Sequence, residues 1–81
     1  MREIKILSNL FGGYDNEKFL SVIWNMNIDE LKTLLKESQN DLKWLKSNFY
    51  GTLRVFYIKD AQWVKTRIKL IKEVIAYKSY P

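Results

Sequence analysis

The stretch DAQWVKTRIKLIKEVIAYK, residues 60–78, constrains the fold more than any other part of the chain. It contains no glycine or proline, and its apolar residues recur at three- and four-residue intervals, the pattern of a helix with one side against a core. Asp60 is placed to cap its start, because a carboxylate can accept from the free N–H groups of a first helical turn. At about 100° per residue, Val64, Ile68, Ile71 and Ile75 form one stripe. Trp63, Leu70, Val74 and Tyr77 form a neighbouring one. Together they span roughly half the circumference, wider than the ~100° that packing on a single neighbour requires. The helix is therefore expected to be covered on two sides. The first stripe is assigned to the core, and Trp63, Leu70, Val74 and Tyr77 are the candidate interface of a homodimer. Lys65, Lys69 and Lys72 line up on the opposite side.

Arg67 lies in the middle of the apolar arc. A guanidinium taken out of water needs an acidic partner or an aromatic face. The expectation is that its stem follows the core and its head reaches the edge to pair with a carboxylate. Trp63, four residues earlier, offers the face. A functional arginine is the alternative.

The rest of the chain supplies what this helix can pack against. NIDELKTLLKESQNDLKWLKSN predicts a helix over 28–48, with Asn27 and Glu30 as a reciprocal cap. Leu31, Leu34, Leu35, Leu42, Leu45 and Phe49 make its apolar face, interrupted by Ser38. Lys32, Lys36 and Lys43 flank one side of that face. Glu30, Glu37 and Asp41 flank the other, and are the expected source of a partner for Arg67. Trp44 falls away from the leucines, either covering another helix or exposed.

Asp15 caps a shorter helix over 16–26, apolar enough to be expected between the other two. Residues 2–7 alternate like a strand but equally suit a helix closed by Gly12-Gly13; the glycine pair favours the helix. TLRVFYI, 52–58, has high strand propensity, and is read as extended, with an early turn of the last helix as the alternative. The predicted fold is one mostly α domain, 1–81, of three to four helices. It is built on an antiparallel helical hairpin of 28–48 against 60–78, with a short strand at 52–58 as an option.

Composition narrows function mainly by exclusion. The 81 residues include no cysteine and no histidine, which removes disulfides, thiol chemistry, the commonest general base and the commonest metal ligand. No phosphate-binding glycine loop and no carboxylate pair at a catalytic spacing is present, so neither enzymatic activity, a metal site nor a cofactor is expected. No run is long and apolar enough for a transmembrane helix, and the N-terminal residues lack the cleavage pattern of a signal peptide. Of the net charge of +5, residues 59–81 hold +4 and residues 1–58 only +1.

An anionic partner would be steered to that basic C-terminal element. Lys65, Lys69 and Lys72 are thus the candidate nucleic-acid contacts, neutralising phosphates without reading sequence. No helix-turn-helix, zipper or zinc spacing accompanies them. A protein partner docked on the aromatic surface is the alternative, and a membrane-surface helix is a third reading.

Heavy use of lysine, isoleucine, asparagine and tyrosine, with cysteine and histidine absent, resembles small accessory proteins of viruses and plasmids with AT-rich genomes, including those of thermophilic archaea. The resemblance covers the whole chain loosely and carries no motif. It implies a non-enzymatic helper inside a host cell, and assigns no functional residue.

Overall fold

Local signals set the helix ends. In the computed structural model, which describes residues 4–48 and 54–80, three α-helices follow two short 3-10 turns, Lys5–Leu7 and Asn9–Phe11. The second turn closes at Gly12, whose φ of 80° is left-handed. A Cβ there would also sit 2.5 Å from the Cβ of Lys18, so both strain and space select glycine. Helix α1, Asn16–Trp24, is capped as expected: Asp15 accepts from the backbone N–H groups of Glu17 and Lys18. Helix α2, Ile28–Asn48, starts with the reciprocal cap. The Glu30 N–H donates to Asn27 Oδ1 at 2.8 Å, and the Asn27 N–H to Glu30 Oε1 at 3.1 Å.

Helix α3, Arg54–Ser79, begins earlier than the sequence pattern places it. Arg54 to Ile58 are helical, not extended; Thr52 and Leu53 lie outside the described residues, as does Phe49 of the leucine face. The strand propensity of TLRVFYI is overridden because no strand exists among the described residues to pair with it. Continuing the helix satisfies each backbone group within the segment itself. Asp60 consequently sits inside α3 and caps nothing. Its carboxylate instead accepts from the Tyr14 hydroxyl at 2.9 Å.

The first turn of α2 and the last turn of α3 line one depression, so these helices run antiparallel. Leu31, Leu34 and Leu45 of α2, and Val64, Ile71 and Val74 of α3, are buried between the elements. Ser38 is buried among them and satisfies its hydroxyl on the Leu34 carbonyl, 2.7 Å away. The N-terminal turns and α1 form a second layer on one side of the α2–α3 pair, contributing Ile4, Ile6, Phe11, Phe19 and Ile23. Helix α1 is one-sided, and not enclosed as its composition suggested: Phe19 and Ile23 are buried while Trp24 is 44 % exposed. The molecule measures 47 × 20 × 16 Å.

Arg67 joins the two layers. It is completely buried, and no carboxylate of α2 pairs with it. Its Nη1 donates to the carbonyl oxygens of Ile6 and Phe11, and its Nε to Asn16 Oδ1 at 3.2 Å. The guanidinium carbon lies 4.4 Å from the centre of the Phe19 ring and 5.6 Å from that of Trp63. Nη2 has no hydrogen-bond partner among the described residues. Burial pushes the guanidinium below its usual range, opposed by the nearby charge of Asp15 and by Tyr14. The expected carboxylate pair is thus replaced by backbone carbonyls of a segment more than fifty residues away. Those carbonyls belong to irregular turns, where helical hydrogen bonding cannot use them.

Replacing Arg67 removes a donor to several acceptors at once, so Arg67→Ala should cost about 3 kcal/mol or more, while Lys69→Ala should cost less than about 0.5 kcal/mol. Equal urea midpoints for the two variants would contradict the burial of Arg67. A second prediction concerns Tyr14. The hydrogen bond to Asp60 raises its pKa above the ordinary 10.0, reinforced by burial and by the Asp60 charge and opposed by Arg67. A phenol whose folded-state pKa is raised contributes stability that is full below the unfolded value, and lost as pH rises through the folded one. Tyr14→Phe should therefore narrow the alkaline loss of stability that sets in as pH rises past the ordinary phenol value of 10.0. Its cost at neutral pH should be only about 0.5 kcal/mol, because the contact is largely exposed. Parallel alkaline declines for the two proteins would refute the contact.

Candidate nucleic-acid interface

The rotation of each long helix about its axis decides which lysines share a surface. Around α3, the sector carrying Trp63, Arg67 and Lys78 meets the N-terminal layer: Trp63 packs against Tyr14, Arg67 bonds Ile6, and Lys78 bonds Trp24. The buried sector of Val64, Ile68 and Ile71 comes next. Beyond it, at about 100° per residue, lie Lys65, Lys69 and Lys72, all exposed.

Around α2 the order is the same. Glu37 meets Lys5 of the N-terminal layer, with Lys5 Nζ 3.4 Å from Glu37 Oε2. Leu31, Ser38 and Leu45 are buried, and Lys32, Lys36 and Lys43 follow, again exposed. Because the helices are antiparallel, the α3 lysines turn to the face opposite the N-terminal layer, and the α2 lysines, about 140° around from the middle of that helix's buried sector, turn outward on the same side.

Six lysines from two helices therefore share one side of the molecule. Neither sector contains an acidic residue. None of the six has an ion-pair partner among the described residues. The acidic flank of α2 points the other way: Glu37 is paired with Lys5, and Asp41 is only 5 % exposed. Sequence reasoning identified Lys65, Lys69 and Lys72 but assigned Lys32, Lys36 and Lys43 only to a helix flank. The +3/+4 spacing of the α2 lysines was visible. Their juxtaposition with α3 depends on how the helices are rotated against each other, which no local pattern states.

Lys78 does not extend the row. It lies in the sector facing α1, where its ammonium donates to the carbonyl oxygens of Trp24 and Met26 and lies 5.9 Å from the centre of the Trp24 ring. It closes the C-terminal end of α1, where helical carbonyls lack partners and a cation is favoured. Lys59 falls about 120° around the helix from Lys65 and about 80° from Lys69, outside the row.

The candidate interface stripe is not continuous. Val74 is 3 % exposed and belongs to the core of the single chain. Trp63 is half-buried and meets the Tyr14 ring edge-on at 5.4 Å between centroids. Leu70 packs against the core from its margin, and Tyr77, though 72 % exposed, meets the ring of Trp24. The second apolar stripe is spent on the N-terminal layer, which is why the arc is so wide.

Among the described residues, no group of three or more acidic, histidine or cysteine side chains is clustered to hold a metal, and no helix is long and apolar enough to cross a membrane. No family model, curated protein or solved structure matches the chain.

The separation of Lys78 from the row gives a test. Lys78→Met should lower stability by about 1–2 kcal/mol through the loss of charge-assisted hydrogen bonds, whereas Lys72→Met should leave it within about 0.5 kcal/mol. Thermal unfolding of both distinguishes them, and equal melting temperatures would place Lys78 with the solvated lysines.

Proposed function

We propose that this chain is a small, non-enzymatic, basic module that binds the nucleic-acid backbone without reading sequence. The contacts are Lys65, Lys69 and Lys72 of α3, joined by Lys32, Lys36 and Lys43 of α2. One observation carries this reading: two exposed, acid-free lysine sectors turned to the same side of an antiparallel helix pair. A solvated face made only for solubility would interleave both charge signs. Here Glu37 pairs with Lys5 on the N-terminal layer and Asp41 is buried, while the exposed Asp29 and Glu73 border the lysine sectors without entering them. Packed helix axes stand about 8–10 Å apart, and the major groove of B-DNA is about 12 Å wide. The two rows are thus scaled to reach phosphates on both sides of a groove. Lysine, a flexible point charge, supplies affinity to phosphate and no base discrimination.

A homodimer through Trp63, Leu70, Val74 and Tyr77 has less support, since Val74 lies in the core, Leu70 packs on its margin, and Trp63 and Tyr77 meet Tyr14 and Trp24 of the same chain.

Fluorescence anisotropy of a labelled mixed-sequence duplex tests the reading. With about six phosphate contacts the affinity should fall by roughly 10³-fold between 50 and 200 mM salt. Removing any one lysine of the six by alanine should lower the logarithmic salt slope by about one. Binding that ignores salt, or that survives replacement of all six lysines, would reject it.

A further inference from the structure

At the end of the molecule where α3 finishes, three large aromatic side chains stand in solvent. Trp24 is 44 % exposed, Tyr77 72 % and Tyr80 80 %. They line an open depression of about 780 Å³ together with Asn27, Asp29 and Lys78. Trp24 and Tyr77 meet edge to face, 5.1 Å between centroids at 88°. That geometry leaves ring faces uncovered. No hydrogen bond made by the Tyr77 or Tyr80 hydroxyl is present among the described residues, so the Trp24 ring is what holds Tyr77, and the Tyr77 hydroxyl is not tied down.

The depression is linked to the lysines. Lys65, Lys69, Lys72 and Ala76 recur at intervals of four, three and four residues, which is one stripe of α3, and Tyr80 follows four residues later, just past the helix end at Ser79. Ala76 is exposed and small, so the path from the lysines to the aromatic end runs over it, beside the exposed Glu73 that stands between Lys69 and Tyr77. Lys72 and Tyr80 are about 12 Å apart along the axis, a short step for a stretched strand. Asp29 on the rim would repel a phosphate but can accept from the exocyclic amino group of a base.

We infer that Tyr77 and Tyr80 form a stacking platform for unpaired bases, so that the ligand is single-stranded nucleic acid, with its backbone on the lysine stripe of α3 and its bases on the aromatic end. This rests on the backbone-binding reading and narrows it. Bases within a duplex have no free faces, whereas unpaired bases stack on aromatic rings regardless of sequence.

The test is anisotropy with a labelled mixed-sequence single strand and with the corresponding blunt duplex, at one low salt concentration. Wild type is compared with the Tyr77→Ala/Tyr80→Ala and Tyr77→Phe/Tyr80→Phe double variants. Both tyrosines are exposed, so circular dichroism should show all three equally folded. Wild type should prefer the single strand. The alanine pair should weaken single-strand binding by about tenfold or more and change duplex binding by less than about twofold, and the phenylalanine pair should behave as wild type. An alanine pair that binds the single strand as wild type does, or that loses both ligands equally, overturns the platform while leaving the lysine face standing. A phenylalanine pair as weak as the alanine pair overturns stacking in favour of the hydroxyls. No binding of either nucleic acid by wild type removes the lysine reading, and this inference with it.

Discussion

A fully buried guanidinium holds the two layers of this protein together. The α2–α3 pair is a leucine- and isoleucine-lined antiparallel contact of the ordinary kind. The segment before α1 is different: it consists of two short 3-10 turns in which the Ile4, Lys5, Ser8 and Asn9 carbonyls accept from the segment itself, while those of Ile6 and Phe11 accept from Arg67. Arg67 reaches into that segment from the middle of α3 and donates to Ile6 and Phe11, while Asn16 at the start of α1 takes its Nε–H. The charge is not neutralised by a carboxylate in contact. It is met by oriented carbonyl dipoles, by the face of Phe19 and, at longer range, by Asp15. Removing such a group without replacing its bonds leaves several buried acceptors unsatisfied, which costs more than any single bond is worth.

This arrangement decides where the lysines face. By tying the N-terminal layer to the Trp63–Arg67 sector of α3, Arg67 leaves the opposite side of the helix pair uncovered. Lys5–Glu37 and Lys78 act on the same layer from its other margins. The covered side collects the acidic flank of α2, and the uncovered side collects six lysines. A net charge of +5 spread evenly would give a weak field; concentrated on one face of a body 16 Å thick, it gives a directed one.

What the residues disclosed in advance follows the range of the interactions. The caps at Asp15 and Asn27–Glu30, the glycine stop at Gly12 and the leucine face of α2 are local, and their spacing is enough to read them. The breadth of the apolar arc on α3 correctly required two neighbours, but its second neighbour is the chain's own N-terminal layer, with Val74 in the core. The partners of Arg67 were not legible, because backbone carbonyls carry no sequence signature. The helical state of Arg54–Ile58 went against local propensity because no strand among the described residues pairs with them. The union of the α2 and α3 lysines was hidden for a third reason: it is a property of helix rotation and direction, visible only once Glu37 and Trp63 are seen to meet the same layer.

The central claim is that these six lysines act as one surface. Amide chemical-shift mapping by NMR, with a short duplex added at low salt, tests it most directly. The account predicts that Lys32, Lys36 and Lys43 shift together with Lys65, Lys69 and Lys72, while Lys5 and Lys18 on the N-terminal layer stay in place. Shifts gathered on the N-terminal layer, or on one of the two helices alone, would contradict it.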